Sequence, residues 1–224
     1  DGTITITNPQ GGYGTYQYSV DGGTYWQPMG TFSNLMPGTY DVRIRDAANP
    51  ACVIILDPAV IITQPDALSA SLQKTDVTCY GANDGTITIT NPSGGYGIYE
   101  YSINGGGSWQ YSASFSNLAP GTYQAMIRDA SDITCVYAIP DALIITEPDE
   151  LNALVAGTNI TCLGAGDGTI TISSPAGGYG TYEYTINGGG SWQSSGIFTG
   201  LGPGSYNVQM RDALSPHCTR VLMS

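Results

Sequence analysis

Asp84-Gly85-Thr86-Ile87-Thr88-Ile89-Thr90 alternates threonine with isoleucine. The same seven residues stand at Asp1 to Thr7, and Asp167 to Ser173 repeats them with one change, serine for the last threonine. Strict alternation at period two marks a strand with one face buried, and an Asp-Gly pair ahead of it marks a turn. The three copies set a period of 83 residues. Trp26, Trp109 and Trp192 keep that phase, as do Phe32, Phe115 and Phe198, the Pro-Gly pairs at Pro37, Pro120 and Pro203, and Cys52, Cys135 and Cys218. A unit this long exceeds the repeats of helical or leucine-rich solenoids and is large enough to hold its own core. The chain therefore reads as a string of similar domains: 1–65, which lacks its first strand, 66–148, which is complete, and 149–224, which lacks the end of its last strand.

The complete copy gives the order of elements. Leu68 to Leu72 alternates apolar and polar residues and predicts a first strand. A turn through Cys79 to Gly85 leads into the Thr/Ile strand, which Asn91-Pro92-Ser93-Gly94-Gly95 ends. Tyr99, Tyr101 and Ile103 share one face of the next strand. The Asn104-Gly105-Gly106-Gly107 turn follows, then a less regular stretch holding Trp109 and Phe115 and closing at Leu118. After the Pro120-Gly121 turn, Tyr123, Ala125 and Ile127 point inward while Gln124, Met126 and Arg128 point outward. Cys135 to Thr146 is a last, edge-like strand interrupted at Pro140, since proline cannot donate to a ladder. Six or seven short antiparallel strands without helical periodicity predict an all-β chain of tandem immunoglobulin-like β-sandwich domains. A bare Pro-Asp joint separates successive copies at Pro65-Asp66 and Pro148-Asp149, which predicts a semi-rigid rod rather than beads on a slack tether.

Composition narrows the function. Charged residues are 11% of the chain against a usual quarter, so the surface is mainly uncharged and polar. With 18 acidic and six basic residues the net charge is −12, and no basic patch exists to neutralise phosphates. Nucleic acid is excluded as a partner on that ground, and binding to anionic membrane surfaces is disfavoured. The apolar runs are strand-sized, so no membrane insertion is expected.

The cysteines fall at two phases, an early one at Cys79 and Cys162 and a late one at Cys52, Cys135 and Cys218. Pairing within a repeat joins Cys79 to Cys135 and Cys162 to Cys218 and leaves Cys52 for an upstream partner. The rival joins Cys52 to Cys79 and Cys135 to Cys162. We prefer the first, although spacing alone does not fix connectivity; each bond would close a loop of about 56 residues and contribute about 4 kcal/mol in the chain-entropy model. Either pairing implies oxidising surroundings. Zinc fits poorly, because the cysteines are far apart in sequence and His217 is the sole histidine.

Taken in order, a cysteine shortly before DGTIT, the GGYG turn with YEYSIN (Gly94 to Asn104), NLAPGTY (Asn117 to Tyr123), a strand ending in Arg128-Asp129-Ala130 and then a second cysteine resemble the SprB-type repeat of large cell-surface adhesins in gliding Bacteroidota. The resemblance covers essentially the whole chain. It implies immunoglobulin-like domains in a very long exported protein, carried to the extracellular cell surface by the type IX system and serving adhesion or gliding motility. Further copies of the same repeat in a longer chain are the implied partners. Self-association into fibres and contact with surface polysaccharide are further expectations.

Two kinds of site are candidates. Trp26, Trp109 and Trp192, with Tyr96 and Tyr179 in glycine-flanked turns, are candidate glycan contacts; against this, one tryptophan per sandwich is commonly a core anchor. Asp84 with Asp129, and Asp167 with Asp212, are candidate calcium ligands if the intra-repeat disulfide brings them to one end of the domain; Asp before Gly is equally an ordinary turn residue. No other cofactor is expected. No catalytic constellation recurs: His217 has no counterpart in the other copies, and paired carboxylates alone do not make a glycosidase, so an enzyme is not expected. Finally, the 224 residues fall short of three periods by the equivalent of Ala142 to Gly166. The chain reads as a window on a longer array in preference to subunits that exchange strands.

Overall fold

The computed structural model describes residues 1–140 and 142–223, and every regular element among them is a β-strand. The chain divides into two compact units, Asp1–Asp66 and Ala67–Ser224.

In the first unit, β1 (Gly2–Thr5) pairs with β3 (Thr31–Leu35), while β2 (Tyr16–Ser19) and β5 (Val53–Ile62) flank β4 (Gly38–Asp46). All these pairs are antiparallel. Ile4, Tyr18 and Val42 are the buried apolar residues between the two sheets.

The second unit holds two successive sandwiches. The first comprises β6 (Ser69–Thr75), β7 (Gly85–Ser93), β8 (Tyr99–Ser102), β9 (Ser114–Leu118), β10 (Gly121–Tyr123), β11 (Met126–Asp129), β12 (Val136–Ala138) and β13 (Leu143–Ile145). The order β6-β7-β9 makes one sheet; β8-β11-β12, continued by β10-β13, makes the other. The last strand is split as expected on either side of Pro140; that expected strand also crosses residue 141, which lies outside the described residues. The second sandwich repeats the arrangement with β14 (Asn152–Thr158), β15 (Gly168–Ala176) and β17 (Ile197–Leu201) against β16 (Tyr182–Thr185), β18 (Val208–Asp212) and β19 (Thr219–Met223). This is the immunoglobulin-like order with the fourth of its seven strands left out.

The alternation that defined the fold sets the core. Ile87 and Ile127 are fully buried from opposite sheets, Val208 and Met210 of β18 are fully buried in the next sandwich, and the threonines of β7 face outward. Two devices fix the corners. Asn34 and Asn117 have φ of 57°, and Gly200 takes the same left-handed position with φ of 72° in the third copy, so the turn admits only residues that tolerate αL. Beyond it, the hydroxyls of Tyr40, Tyr123 and Tyr206 donate back to the carbonyls of Met36, Ala119 and Gly202 at 2.6, 2.8 and 2.8 Å. This tyrosine corner clamps the Pro-Gly turn from within its own sequence.

Candidate functional site

Two constructions recur at the 83-residue period and a third is formed once, and together they account for the expected site residues. One lies on the outer face of the second sheet. Arg128 in β11 stands directly across from Glu100 in β8, its Nε donating to Glu100 Oε2 at 2.7 Å, and its guanidinium lies 4.5 Å from the centroid of Trp109. Arg211, Glu183 and Trp192 repeat the stack at 4.4 Å, and Arg45 on Trp26 does so with Gln17 as the acceptor. The tryptophans are half-buried beneath arginine and absent from the buried cores. They are thus not core anchors, and the face that a sugar ring would stack on is occupied by a cation. Sequence reasoning missed this arrangement, though the phase of residues 17, 100 and 183 with Arg45, Arg128 and Arg211 carried the signal.

The second construction is a buried aspartate. Asp129 closes the end of β11 and is fully buried. Its Oδ2 accepts the Tyr96 N–H, and its Oδ1 accepts the N–H groups of Ser131 and Asp132 at 2.7 and 3.2 Å. Asp46 and Asp212 do the same for Tyr13 and Tyr179 and the turns that follow. Gly95 must lie against this carboxylate, since a Cβ there would meet Asp129 Oδ2 at 2.3 Å. The amide donors, led by the Tyr96 N–H, hold the Asp129 carboxyl below the usual carboxylate range against the opposing cost of burial. Asp84 and Asp167 hold a different turn. Each accepts from the hydroxyl and N–H of a threonine, Thr78 at 2.5 and 2.8 Å and Thr161 at 2.6 and 2.9 Å. The threonine hydroxyl is the main cause of the lowered pKa of both.

The structure does not bring Asp84 and Asp129 together. Gly85 packs against Ile145, which pairs with Gly121 at the start of the β10–β11 strand. Asp129 ends that strand eight residues on, roughly 26 Å away at ~3.3 Å per residue. The same holds for Asp167 and Asp212, whose positions in the third copy are equivalent.

The third construction is the junction inside the second unit, and it corrects the expected disulfides. Cys79 is bonded to Cys218, 139 residues away, with a Cα–Cα distance of 5.4 Å; Cys52, Cys135 and Cys162 are free thiols. Neither Cys79 to Cys135 nor Cys162 to Cys218 is formed, because the early and late cysteines of one repeat sit at opposite ends of its sandwich. The pairs Cys52 to Cys79 and Cys135 to Cys162 are likewise not formed. The observed bond joins the early cysteine of one repeat to the late cysteine of the next.

Around it the Tyr179 hydroxyl donates to the Thr78 carbonyl at 3.2 Å, and Gly81 N–H donates to Glu147 Oε2 at 2.7 Å. Glu150 and Arg220 form an ion pair beside it. Cys79, Tyr80, Leu151, His217 and Cys218 line a cleft of about 180 Å³ between the two sandwiches. Among the described residues, Cys79, His217 and Cys218 are a group of metal-capable side chains within 4.8 Å of one another, but two of the three are consumed by the disulfide. Nothing in this constellation supplies a nucleophile with a base.

Residues 71–108 and 155–191 match the family model described as SprB repeat. These stretches run from the first strand of each sandwich in the second unit through the glycine-rich turn before its tryptophan. No curated protein and no solved structure matches the chain.

Proposed function

We propose that this chain of SprB repeats is a structural and adhesive segment of a cell-surface protein, forming a stiff stalk or filament that holds a contact surface away from the cell. The observation that carries the reading is the junction within the second unit. Successive sandwiches there meet without a flexible linker, share a disulfide, and are hydrogen-bonded through Tyr179 and Thr78. A junction restrained in this way resists bending, which a Gly/Ser tether would not. Uncharged polar strands and the exposed Tyr13 and Tyr96 offer contact area along such a stalk. Export by the type IX system, and service in gliding as well as in adhesion, belong to the same reading. So do lateral association into fibres and attachment to surface polysaccharide, although the arginine over each tryptophan leaves the glycan reading with little to favour it. Among the described residues, no helix is long and apolar enough to cross a membrane.

Electron microscopy of the native protein tests this. A beaded rod advancing ~3 to 4 nm per repeat, the length of one strand layer, is the expected image. Isolated globules, or chains that bend freely at every bead, would overturn it.

A further inference from the structure

The turn that carries Cys79 has a second edition at Cys162, built identically but joined to nothing. Thr161 N–H and Oγ1 donate to Asp167 as those of Thr78 do to Asp84, and Ala165 N–H donates to the Cys162 carbonyl at 3.0 Å, matching Ala82 and Cys79. Its shape is therefore set by its own hydrogen bonds before any partner arrives. Cys162 is exposed, and Leu163 beside it is 100% exposed where Tyr80 lines the junction cleft.

The receiving end is also preformed in every copy. Cys218 N–H donates to Ser215 at 2.8 Å, and Asp212 N–H donates to the Cys218 carbonyl at 3.1 Å. Cys135 has the same two bonds with Asp132 and Asp129, and Cys52 has them with Asn49 and Asp46. The chain thus contains two cysteine turns and three receiving ends, with one turn seated.

We propose that the Cys162 turn is an attachment site for the late-cysteine end of another repeat of this kind, so that repeats are stitched by disulfides that each run from one copy to the next. The proposal rests on the stalk reading and adds the covalent connectivity. The two thiols lose two protons and two electrons as the S–S bond forms. The oxidant is a disulfide, reduced to two thiols by exchange. Burial and then the charge of Asp132 hold the Cys135 thiol above its ordinary pKa; Cys162 is the more exposed of the two and so the accessible attacking partner.

The full 224-residue chain, oxidised in glutathione disulfide over a range of concentrations, is digested without reduction and its disulfide-linked peptides are identified. The expected result is Cys79 bonded to Cys218 within each chain and Cys162 bonded to Cys52 or Cys135 of a second copy. That yields a ladder of covalent oligomers, which Cys162→Ser abolishes while Cys79–Cys218 persists. Leu163→Asp, which leaves the thiol in place, should slow ladder formation. Cys162 recovered mainly with another Cys162, with Cys218, or unmodified at all concentrations would overturn the proposal. Those outcomes leave the microscopy of the native rod unaffected, so the two readings fail separately.

Discussion

The first unit and the first sandwich of the second unit share the same pattern of strands but differ by one: β1 has β3 alone for a neighbour, whereas β7 lies between β6 and β9. The missing neighbour is felt across the core. Ile44 is only half-buried where its equivalent Ile127 is fully buried, and Ile54 is 63% exposed where Tyr137 packs against the core. Leu68 from ahead of β6 and Leu151 from ahead of β14 cover the glycine that faces the buried aspartate; Gly12 has no such cover. One strand therefore closes one side of the sandwich and the lid over its aspartate. The corner, the arginine stack and the aspartate bonds are present in both, because each is built inside the strands the two share.

The largest way to sharpen this contrast is to remove the bond that only the second unit has. Cys79→Ser should lower its stability by about 5 kcal/mol in the chain-entropy model for a loop of 139 residues, and leave the first unit's unfolding where it was. Denaturant titration under non-reducing conditions, with the two transitions resolved, checks both halves of that statement. Next in size, placing a copy of Ala67–Asn83 ahead of Asp1, with serine at its cysteine, should stabilise the first unit. The gain is on the order of 3 kcal/mol from the side chains it covers; an unchanged first transition would mean that the exposed core there is not a matter of the strand. Ile127→Ala should cost about 3 kcal/mol and Ile44→Ala about half as much, since the latter side chain is already partly in water. Equal losses would break the comparison. The smallest effect should be blind to it: Tyr123→Phe and Tyr40→Phe each forfeit one corner hydrogen bond, about 1 kcal/mol, in both units alike.

Acid should also treat the two units alike. The carboxyls of Asp46 and Asp129 are held below their ordinary value in the fold, chiefly by the N–H groups of Tyr13 and Tyr96. Their contribution is therefore complete above the unfolded carboxylate pKa of about 4 and is lost as pH falls from there through the lowered folded values. Thermal melts from pH 6 down to pH 2 should show both transitions falling together below about pH 4, and Asp129→Asn should flatten that fall for the second unit alone.

Much of the fold was legible because strand burial is written at period two: Ile87 and Ile89 against Thr86 and Thr88, Ala125 and Ile127 against Met126 and Arg128, and the break at Pro140. The corners were legible only as turns. Nothing in Asn117 to Tyr123 announces that the tyrosine hydroxyl returns to Ala119, although the Pro-Gly pair does announce the bend. Residue type leaves the aspartates open as cation ligands or turn residues; it does not record that backbone N–H groups fill the carboxylate of Asp129, or that the hydroxyl and N–H of Thr78 fill that of Asp84. The tryptophans were misjudged because periodicity separates the two faces of a strand but is silent about residues in an irregular loop that folds back over the outer face. The cysteine phase named the right residues and the wrong partners. Connectivity depends on which end of one sandwich meets which end of the next, and a single-chain spacing does not encode that.

Pull on the two ends of the second unit and the load reaches Cys79, crosses a single S–S bond to Cys218, and leaves again. The 139-residue segment between them, worth about 470 Å of contour at ~3.4 Å per residue, never enters the load path. Only β6 and β19, already extended, carry the load outside that loop; the other strands are spared as springs, and the looped segment stays closed under tension until that one bond is reduced. A reductant, rather than force, is then what would let it lengthen.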